Sequence, residues 1–342
     1  MSYDIAIVGE AYGEEEARFK RPFIGKAGQQ LDELLADAGI SRSSCYVTNV
    51  FNLRPDRNDL STLCCKKSEG DCVPGTPALA RGLYLRAEYA GEITRLFSEL
   101  AEVRPNVVVL LGNTACWAVL QRTAISKIRG ACTTSPLLPG LKFLPTYHPA
   151  NILRQYENRH VAVLDLIKAK RESQFPELRR PAREVWMEPS LEDLERFYHE
   201  YILPSDCCAF DVETANRQVT CIGFAPSADR AIVIPFHDPR NRSGSYWPTS
   251  EDELAAWAWV QKFLSAPCRK VGQNGLYDIQ YLWMAHGITV ANYTEDTMLL
   301  HHSLQPEAPK SLGFLGSVYT NEIAWKPNRP KGKNEVRRED SE

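Results

Sequence analysis

The sequence predicts a two-part α/β protein, and three observations carry that expectation. Residues 1–175 alternate short, fully apolar runs with amphipathic stretches, the pattern of a mostly parallel sheet sandwiched between helices. Residues 176–184, Pro-Glu-Leu-Arg-Arg-Pro-Ala-Arg-Glu, hold two prolines and no apolar period, so they read as a linker. Beyond them, a capped helical stretch is followed by strand-like runs and further helical ones, which places a second α/β domain at 185–325. A chain of 342 residues is long enough to bury two cores.

The elements follow in order. Ile5-Ala-Ile-Val8 reads as a buried strand. Residues 29–38 carry Leu31, Leu34 and Leu35 at helical spacing. Strands are expected at 45–50, 107–111 and 143–145, and helices at 86–103, 113–121 and 160–172. In a sheet of this kind ligands sit beyond the strand C-termini, and Glu10, Asn49 and His148 each follow a different strand. After the linker, Ser190-x-x-Asp193 forms a capping box before Leu191, Leu194, Phe197 and Tyr201. Residues 207–212 form a strand, 219–224 and 231–234 continue antiparallel, and Ser250-x-x-Glu253 opens a helix. A strand at 269–273 leads into a helix over 275–286. Pro306 and Pro309 precede a last helical turn around 312–319. A polar, basic tail at 326–342 is expected to be disordered or to dock on a partner.

Composition narrows the function classes. With 44% hydrophobic and 24% charged residues, the chain is ordinary for a globular protein. No apolar run reaches the roughly 18 residues of a membrane span, and no signal peptide is visible, so a cytoplasmic protein is expected. Ten cysteines, scattered through apolar elements, read as buried free thiols. A zinc site from Cys45, Cys64, Cys65 and Cys72 is the minor alternative, because the spacing fits no common pattern. The net charge of −3 neither demands nor excludes nucleic acid. Two basic stretches, at 168–183 and 326–338, offer phosphate contacts or solvated surface.

Chemistry concentrates in two places. On a strand, positions i and i+2 share a face, so Asp211 and Glu213 can reach the same ligand, with Asp278 joining from a helix. Converging carboxylates are what Mg²⁺ (or Mn²⁺) needs for phosphodiester hydrolysis. Phe210-Asp-Val-Glu-Thr214, Gly272-Gln-Asn-Gly-Leu-Tyr-Asp278 and Glu295-Asp296-Thr-Met-Leu299 resemble the 3′→5′ proofreading exonuclease domain of family A DNA polymerases, with Leu312-Gly-Phe-Leu-Gly-Ser-Val-Tyr319 similar to its phage members. The resemblance covers about 185–325. It implies a ribonuclease H-like fold in which Asp211, Glu213 and Asp278 are catalytic metal ligands, Asn274 positions the strand end and Asp296 is structural. The third motif of that family, Tyr-x-x-x-Asp, does not follow Tyr319. It could be supplied by a separate polymerase chain, the site could be a relic that binds DNA, or the chain could be cut at a domain seam.

In the first half, a base extruded from DNA needs a stacking face, an amide that donates and accepts, and a donor for the departing anion. Gly9-Glu-Ala-Tyr-Gly-Glu-Glu-Glu16, Arg21-Pro-Phe-Ile-Gly-Lys-Ala-Gly28, Thr48-Asn49 and Pro145-Thr-Tyr-His-Pro-Ala-Asn-Ile-Leu-Arg154 resemble, in order, the motifs of the uracil-DNA glycosylase superfamily, nearest its iron–sulfur branch. The resemblance covers about 1–175. It implies an α/β/α sandwich with Phe23 as stacking ring, Asn49 as uracil reader, His148 as leaving-group donor, Glu16 as water-positioning carboxylate, Glu10 at the substrate and Arg154 on phosphate. Two departures stand out. Tyr12 occupies a position usually held by Pro. Leu53 stands where a cluster cysteine is expected, so no iron–sulfur cluster is expected.

The leading expectation is a phage-type DNA replication protein of the infected bacterial cytoplasm. It would be the proofreading part of a split family A polymerase, acting on DNA with a separate polymerase chain and without a membrane. The alternatives are an autonomous uracil-DNA repair glycosylase and a non-catalytic DNA-binding or polymerase scaffold subunit.

Overall fold

A computed structural model describes residues 3–322. The basic stretch at 326–338 and the tail expected at 326–342 lie outside the described residues. The chain divides into two compact units: one runs to Arg179 and resumes at Gly313, and the other is Arg180–Leu312.

The first unit is built on β1 (Ile5–Ala11), β2 (Cys45–Phe51), β5 (Val107–Leu111) and β7 (Lys142–Thr146), all parallel, with the two-residue β6 (Thr133–Thr134) antiparallel at the edge. The strand order is β2-β1-β5-β7-β6. A separate ribbon pairs β3 (Cys64–Cys65) with β4 (Tyr84–Leu85). The strands are apolar on both faces because helices cover both. Ile5, Ile7, Val107, Val109 and Leu144 pack with Leu31, Leu34 and Leu35 of α2 (Lys26–Asp37) and Leu166 of α7 (Arg159–Glu172). The alternate residues Ala6, Val8, Val108, Leu110 and Phe143 pack with Leu96 and Leu100 of α3 (Ala90–Val103) and Trp117 of α4 (Gly112–Leu120). Short helices α1 (Glu14–Phe19), α5 (Ile125–Ile128) and α6 (Pro149–Ile152) sit in the connections.

The second unit has the strand order β13-β12-β9-β10-β11-β8. Here β8 is Glu184–Trp186, β9 Cys207–Ala215, β10 Gln218–Ala225, β11 Arg230–Pro235, β12 Arg269–Gly272 and β13 Tyr293–Asp296. β9, β10 and β11 form an antiparallel meander, and β12 and β13 add in parallel on the other side of β9. This is the ribonuclease H-like arrangement, with its central strand carrying Asp211 and Glu213. Helices α8 (Leu191–Phe197) and α9 (Ser250–Ser265) contribute Phe197 and Phe263 to a core shared with Phe210, Val212 and Phe224; α10 (Leu276–His286) contributes Leu282. α11 (Thr297–Leu304) follows β13.

Three sequence expectations change in detail. The Ser190–Asp193 capping box forms as expected, but α9 is capped one residue earlier than expected, by Thr249 accepting from the Asp252 amide at 3.1 Å. The terminal turn, expected within 185–325, instead belongs to the first unit. α12 (Leu312–Tyr319) opens at the junction, and from Gly313 on the chain packs against α7 and the loop before β6. Arg129 donates to Ser317 Oγ at 3.0 Å and its guanidinium lies 5.3 Å from the Phe314 ring centroid. Lys168, from a stretch read as offering phosphate contacts or solvated surface, is buried and donates to the carbonyls of Gly130 and Thr320 at 2.6 Å and to that of Ser317. Burial pushes its ammonium down to about 8, against the pull of Asp165. The acceptors of this lysine lie far away in sequence, where no local pattern reveals them.

Candidate functional site: a base-sized pocket and a carboxylate cluster

At the C-terminal ends of β1, β2 and β7 the first unit opens a pocket of about 470 Å³, lined in part by Glu10, Tyr12, Glu16, Phe23, Asn49 and His148. Four chain segments bring these side chains together.

Phe23 is the most constrained. Its φ of 56° is strained for a bulky side chain. Arg42 holds it there, donating to the carbonyls of Phe23 at 2.7 Å and Pro22 at 3.1 Å while pairing with Asp32 at 2.7 Å. Gly28 leaves room, since a Cβ there would land on the Phe23 carbonyl. The ring is buried, 5.8 Å from the His148 ring. It reaches the Asn49 amide across Gly9, whose missing side chain makes the approach possible. Asn49 is buried on β2 opposite Gly9. Its carbonyl and that of Val50 accept from Arg95 at 2.8 and 3.0 Å, and Arg95 also pairs with Glu99 and Glu92. Among the described residues its side-chain amide has no partner, which leaves it available to a ligand.

His148 caps α6: its Nδ1 accepts from the Ala150 amide at 3.1 Å. A neutral imidazole accepting at Nδ1 carries its proton on Nε2. Desolvation holds this histidine below its ordinary range, opposed by Glu10 and aided by Arg154. Glu10 in turn accepts from the buried Thr114 hydroxyl at 2.6 Å. Arg154 is exposed, donates to the Ala150 carbonyl at 3.2 Å and is absent from the pocket lining. Glu16 takes an amide hydrogen bond from Gly13 on one oxygen and from Ile24 and Gly25 on the other, at 2.8–3.1 Å. It pins the Phe23 loop to α1. Tyr12 does not fill the pocket. It is 8% exposed in its wall, and its hydroxyl is raised chiefly by burial, with Arg95, Glu99 and Glu92 as its charged neighbours. Arg42, Arg95 and Thr114 were not among the sequence candidates. They act on backbone or at long range, and no local motif marks them.

In the second unit Asp211 and Glu213 alternate along β9 with the buried Phe210 and Val212. Asp278 lies buried in the first turn of α10. Burial first, then the charges of Asp211 and Glu213, pushes its carboxyl up to about 7, against a stabilising backbone hydrogen bond from Val212. Asn274 is exposed at φ 57°. Asp296 holds this turn, accepting from the amides of Asn274, Gly275 and Met298 at 2.9–3.1 Å and from the Tyr293 hydroxyl at 2.7 Å. Burial alone would raise the Asp296 carboxyl; these donors leave it lowered.

Three carboxylates are the hard-oxygen chemistry that Mg²⁺ or Mn²⁺ takes, and the raised Asp278 is a site whose negative charge a cation would relieve. The set is not closed into a cage: among the described residues no three His, Cys, Asp or Glu side chains stand ready around one point. The four cysteines of the zinc alternative fall into separate parts of the first unit. Cys45 lies in the core beneath α2, whereas Cys64, Cys65 and Cys72 belong to the β3–β4 ribbon and its edge. Among the described residues no helix is long and apolar enough to cross a membrane.

The family model of the uracil DNA glycosylase superfamily matches residues 2–178, and the chain belongs to that family. Type-4 uracil-DNA glycosylases are similar to it: that of Thermotoga maritima is 34% identical over 172 residues, 48% of this chain and 76% of that protein. That of Archaeoglobus fulgidus is 30% identical over 184 residues, 50% and 81%. A DNA polymerase of Bacillus phage SP01 is 25% identical over 325 residues, 87% of this chain but 32% of the polymerase, so the chain spans about a third of that protein's length. Among solved structures, Escherichia coli RNase D, an exoribonuclease, aligns with 45% of this chain and 40% of its own at 15% identity and a TM-score of 0.32. The Aedes aegypti Nibbler EXO domain aligns with 45% and 79% at 18% identity and a TM-score of 0.32. The fold of the second unit therefore rests on its own strand order, not on these likenesses.

Proposed function

We propose that the protein processes DNA by excising uracil through the pocket at the ends of β1, β2 and β7. One observation carries this reading: Phe23, Asn49, Glu10 and His148 come from four separate segments and line one pocket. The flipped base stacks on Phe23. The Asn49 amide, unclaimed by the described residues, donates and accepts at the base edge. As the glycosidic bond breaks, negative charge develops on the base, and the Nε2–H of His148 donates to it. The neutral imidazole stabilises that charge by hydrogen bonding and keeps its proton. Glu10, held by Thr114, is the carboxylate better placed to orient the attacking water, because Glu16 spends both oxygens on the Phe23 loop. Arg154, outside the pocket, is left to a flanking phosphate. The test is release of free uracil from a uracil-containing single strand. Asn49→Ala and His148→Ala should abolish it, and wild-type protein that releases no uracil would overturn the proposal.

A second reading is favoured by the alignment with the phage polymerase and by the carboxylates around Asp278. It makes the second unit a 3′→5′ exonuclease working with a family A polymerase. Asp211, Glu213 and Asp278 would hold the divalent cation, which supplies Lewis acidity and an activated water when bound. Asn274 would position the 3′ end. Digestion of a labelled single strand with Mg²⁺, appearing only when a candidate polymerase chain is added and lost in Asp211→Ala, would support completion of the site by a partner. Digestion by the isolated protein would refute the need for one.

A further inference from the structure

The second unit carries an aromatic series that neither reading uses. Phe236, at the end of β11, stacks on Trp257 of α9 with centroids 3.9 Å apart and planes 19° apart. Trp257 stacks in turn on His286, the last residue of α10, at 4.0 Å and 21°. From His286 the series continues at 6.4 Å to Tyr281 and at 6.1 Å to Tyr277. Phe236 is buried, whereas His286 and Tyr277 are exposed and Tyr281 and Trp257 half-buried. The rings run from the protein interior out onto the α10 surface.

Both tyrosines are fixed by their hydroxyls. Tyr277 Oη and Thr214 Oγ1 are 3.1 Å apart, one residue beyond Glu213 on β9. Tyr281 donates to the Arg217 carbonyl at 2.7 Å. Arg217 stands at the tip of the β9–β10 hairpin with φ 63°, exposed, and among the described residues its guanidinium has no partner. The series thus starts beside the carboxylate cluster, runs along α10 and is flanked by an available cation.

We propose that Tyr281, His286 and Arg217 form a track that binds single-stranded DNA leading to the carboxylate cluster. This deepens the exonuclease reading and rests on it for the direction of the strand. Aromatic faces accept any base, and a guanidinium neutralises phosphate, so the track is indifferent to sequence. Its length follows from the helix. Tyr277 and His286 are nine residues apart, about 14 Å along α10, which matches about four stacked nucleotides. The pinned hydroxyls hold the rings ready, so little side-chain freedom is lost on binding. Desolvation lowers the basicity of His286, which keeps it a flat neutral ring at neutral pH.

The experiment uses the full chain in EDTA, where metal-dependent digestion cannot occur. Oligothymidylates of two to eight nucleotides carry a 3′-terminal 4-thiothymidine, and their affinity is read by anisotropy and their position by photocrosslinking. Crosslinks are expected within α10 and the β9–β10 hairpin, with affinity rising up to about four nucleotides and then levelling. Tyr281→Ala, His286→Ala and Arg217→Ala should each reduce the crosslink about tenfold, whereas Tyr281→Phe, which keeps the ring, should retain it. Circular dichroism and a thermal melt of the same preparations should match wild type and report that the variants are folded. Crosslinks that ignore all three substitutions, or that fall outside α10 and the hairpin, would overturn the track. The nuclease reading fails separately: wild-type protein that crosslinks as expected but digests nothing in Mg²⁺, with or without a polymerase chain, leaves the track standing alone.

Discussion

Gly9→Ala puts the pocket geometry to its sharpest test. The new methyl group would point at the Asn49 amide oxygen and the Phe23 ring, about 1 Å inside the separation at which ordinary contact begins. Neither neighbour yields easily: the Asn49 backbone is braced by Arg95, and the Phe23 backbone is held at positive φ by Arg42. Overpacking of this kind costs about 1–3 kcal/mol of stability. The functional loss should be larger. Relief of the clash displaces the stacking ring or the reading amide by about 1 Å, and misplacement of that size costs on the order of 100-fold in rate. Uracil release from a labelled single strand, followed under single-turnover conditions beside a thermal melt, measures both. We expect a variant that stays folded and excises about 100-fold more slowly. Excision within twofold of wild type, with Asn49→Ala inactive in the same assay, would refute the claim that Gly9 sets the distance between the two side chains.

Further outcomes follow from the same geometry. Arg129 is buried and pairs with the buried Asp165, its Nε donating at 2.8 Å; Asp165→Ala leaves it without its carboxylate and should cost about 3–5 kcal/mol, read as a shifted denaturant midpoint, and a shift below about 1 kcal/mol would mean that the pair is not buried in solution. Because burial depresses the folded-state pKa of His148 below 6.5, its neutral form contributes stability that is present above pH 6.5 and lost as pH falls through the depressed value. The pH–rate profile for excision should accordingly stay flat from pH 8 to below 6.5, and an acid limb at or above 6.5 would contradict it. Asp296→Ala removes the acceptor of four amides, those of Asn274, Gly275, Met298 and Leu299, and of the Tyr293 hydroxyl, and about 3 kcal/mol of stability should go with it. Hydrogen exchange at Asn274 and Gly275 would reveal the loosening, and unchanged protection there would refute the bracing role.

Much of this was legible because its signals are local. Alternating apolar runs give the parallel strands, and the Ser190–Asp193 box needs only four residues. The alternation of Asp211 and Glu213 with Phe210 and Val212 fixes which face carries the carboxylates. What escaped involves acceptors that have no sequence signature. Arg42 acts on a carbonyl 19 residues away and Arg95 on one 46 away, while Arg129 meets Ser317 across 188 residues. Lys168 looked like a surface cation because a run of basic residues says nothing about three carbonyls arriving from elsewhere. Glu16, expected at a water, accepts three amides that tie the Phe23 loop to α1, a role no local motif announces. One carboxylate can serve either purpose, and only the positions of nearby amides decide between them.

The return of the chain to the first unit has a consequence for synthesis. Residues 180–312 interrupt the first unit in sequence, and α12 comes after them. Roughly 140 residues separate α7 from the segment that takes up the bonds of Lys168 and Arg129. A ribosome adding 5–20 residues per second needs on the order of ten seconds to cover that interval. During it the nascent sandwich carries two buried-type cations with a face still uncovered. An excised fragment ending near residue 178 would keep that exposed face permanently. Limited proteolysis and aggregation of such a fragment, set against the full chain, would measure how far the sandwich waits for α12.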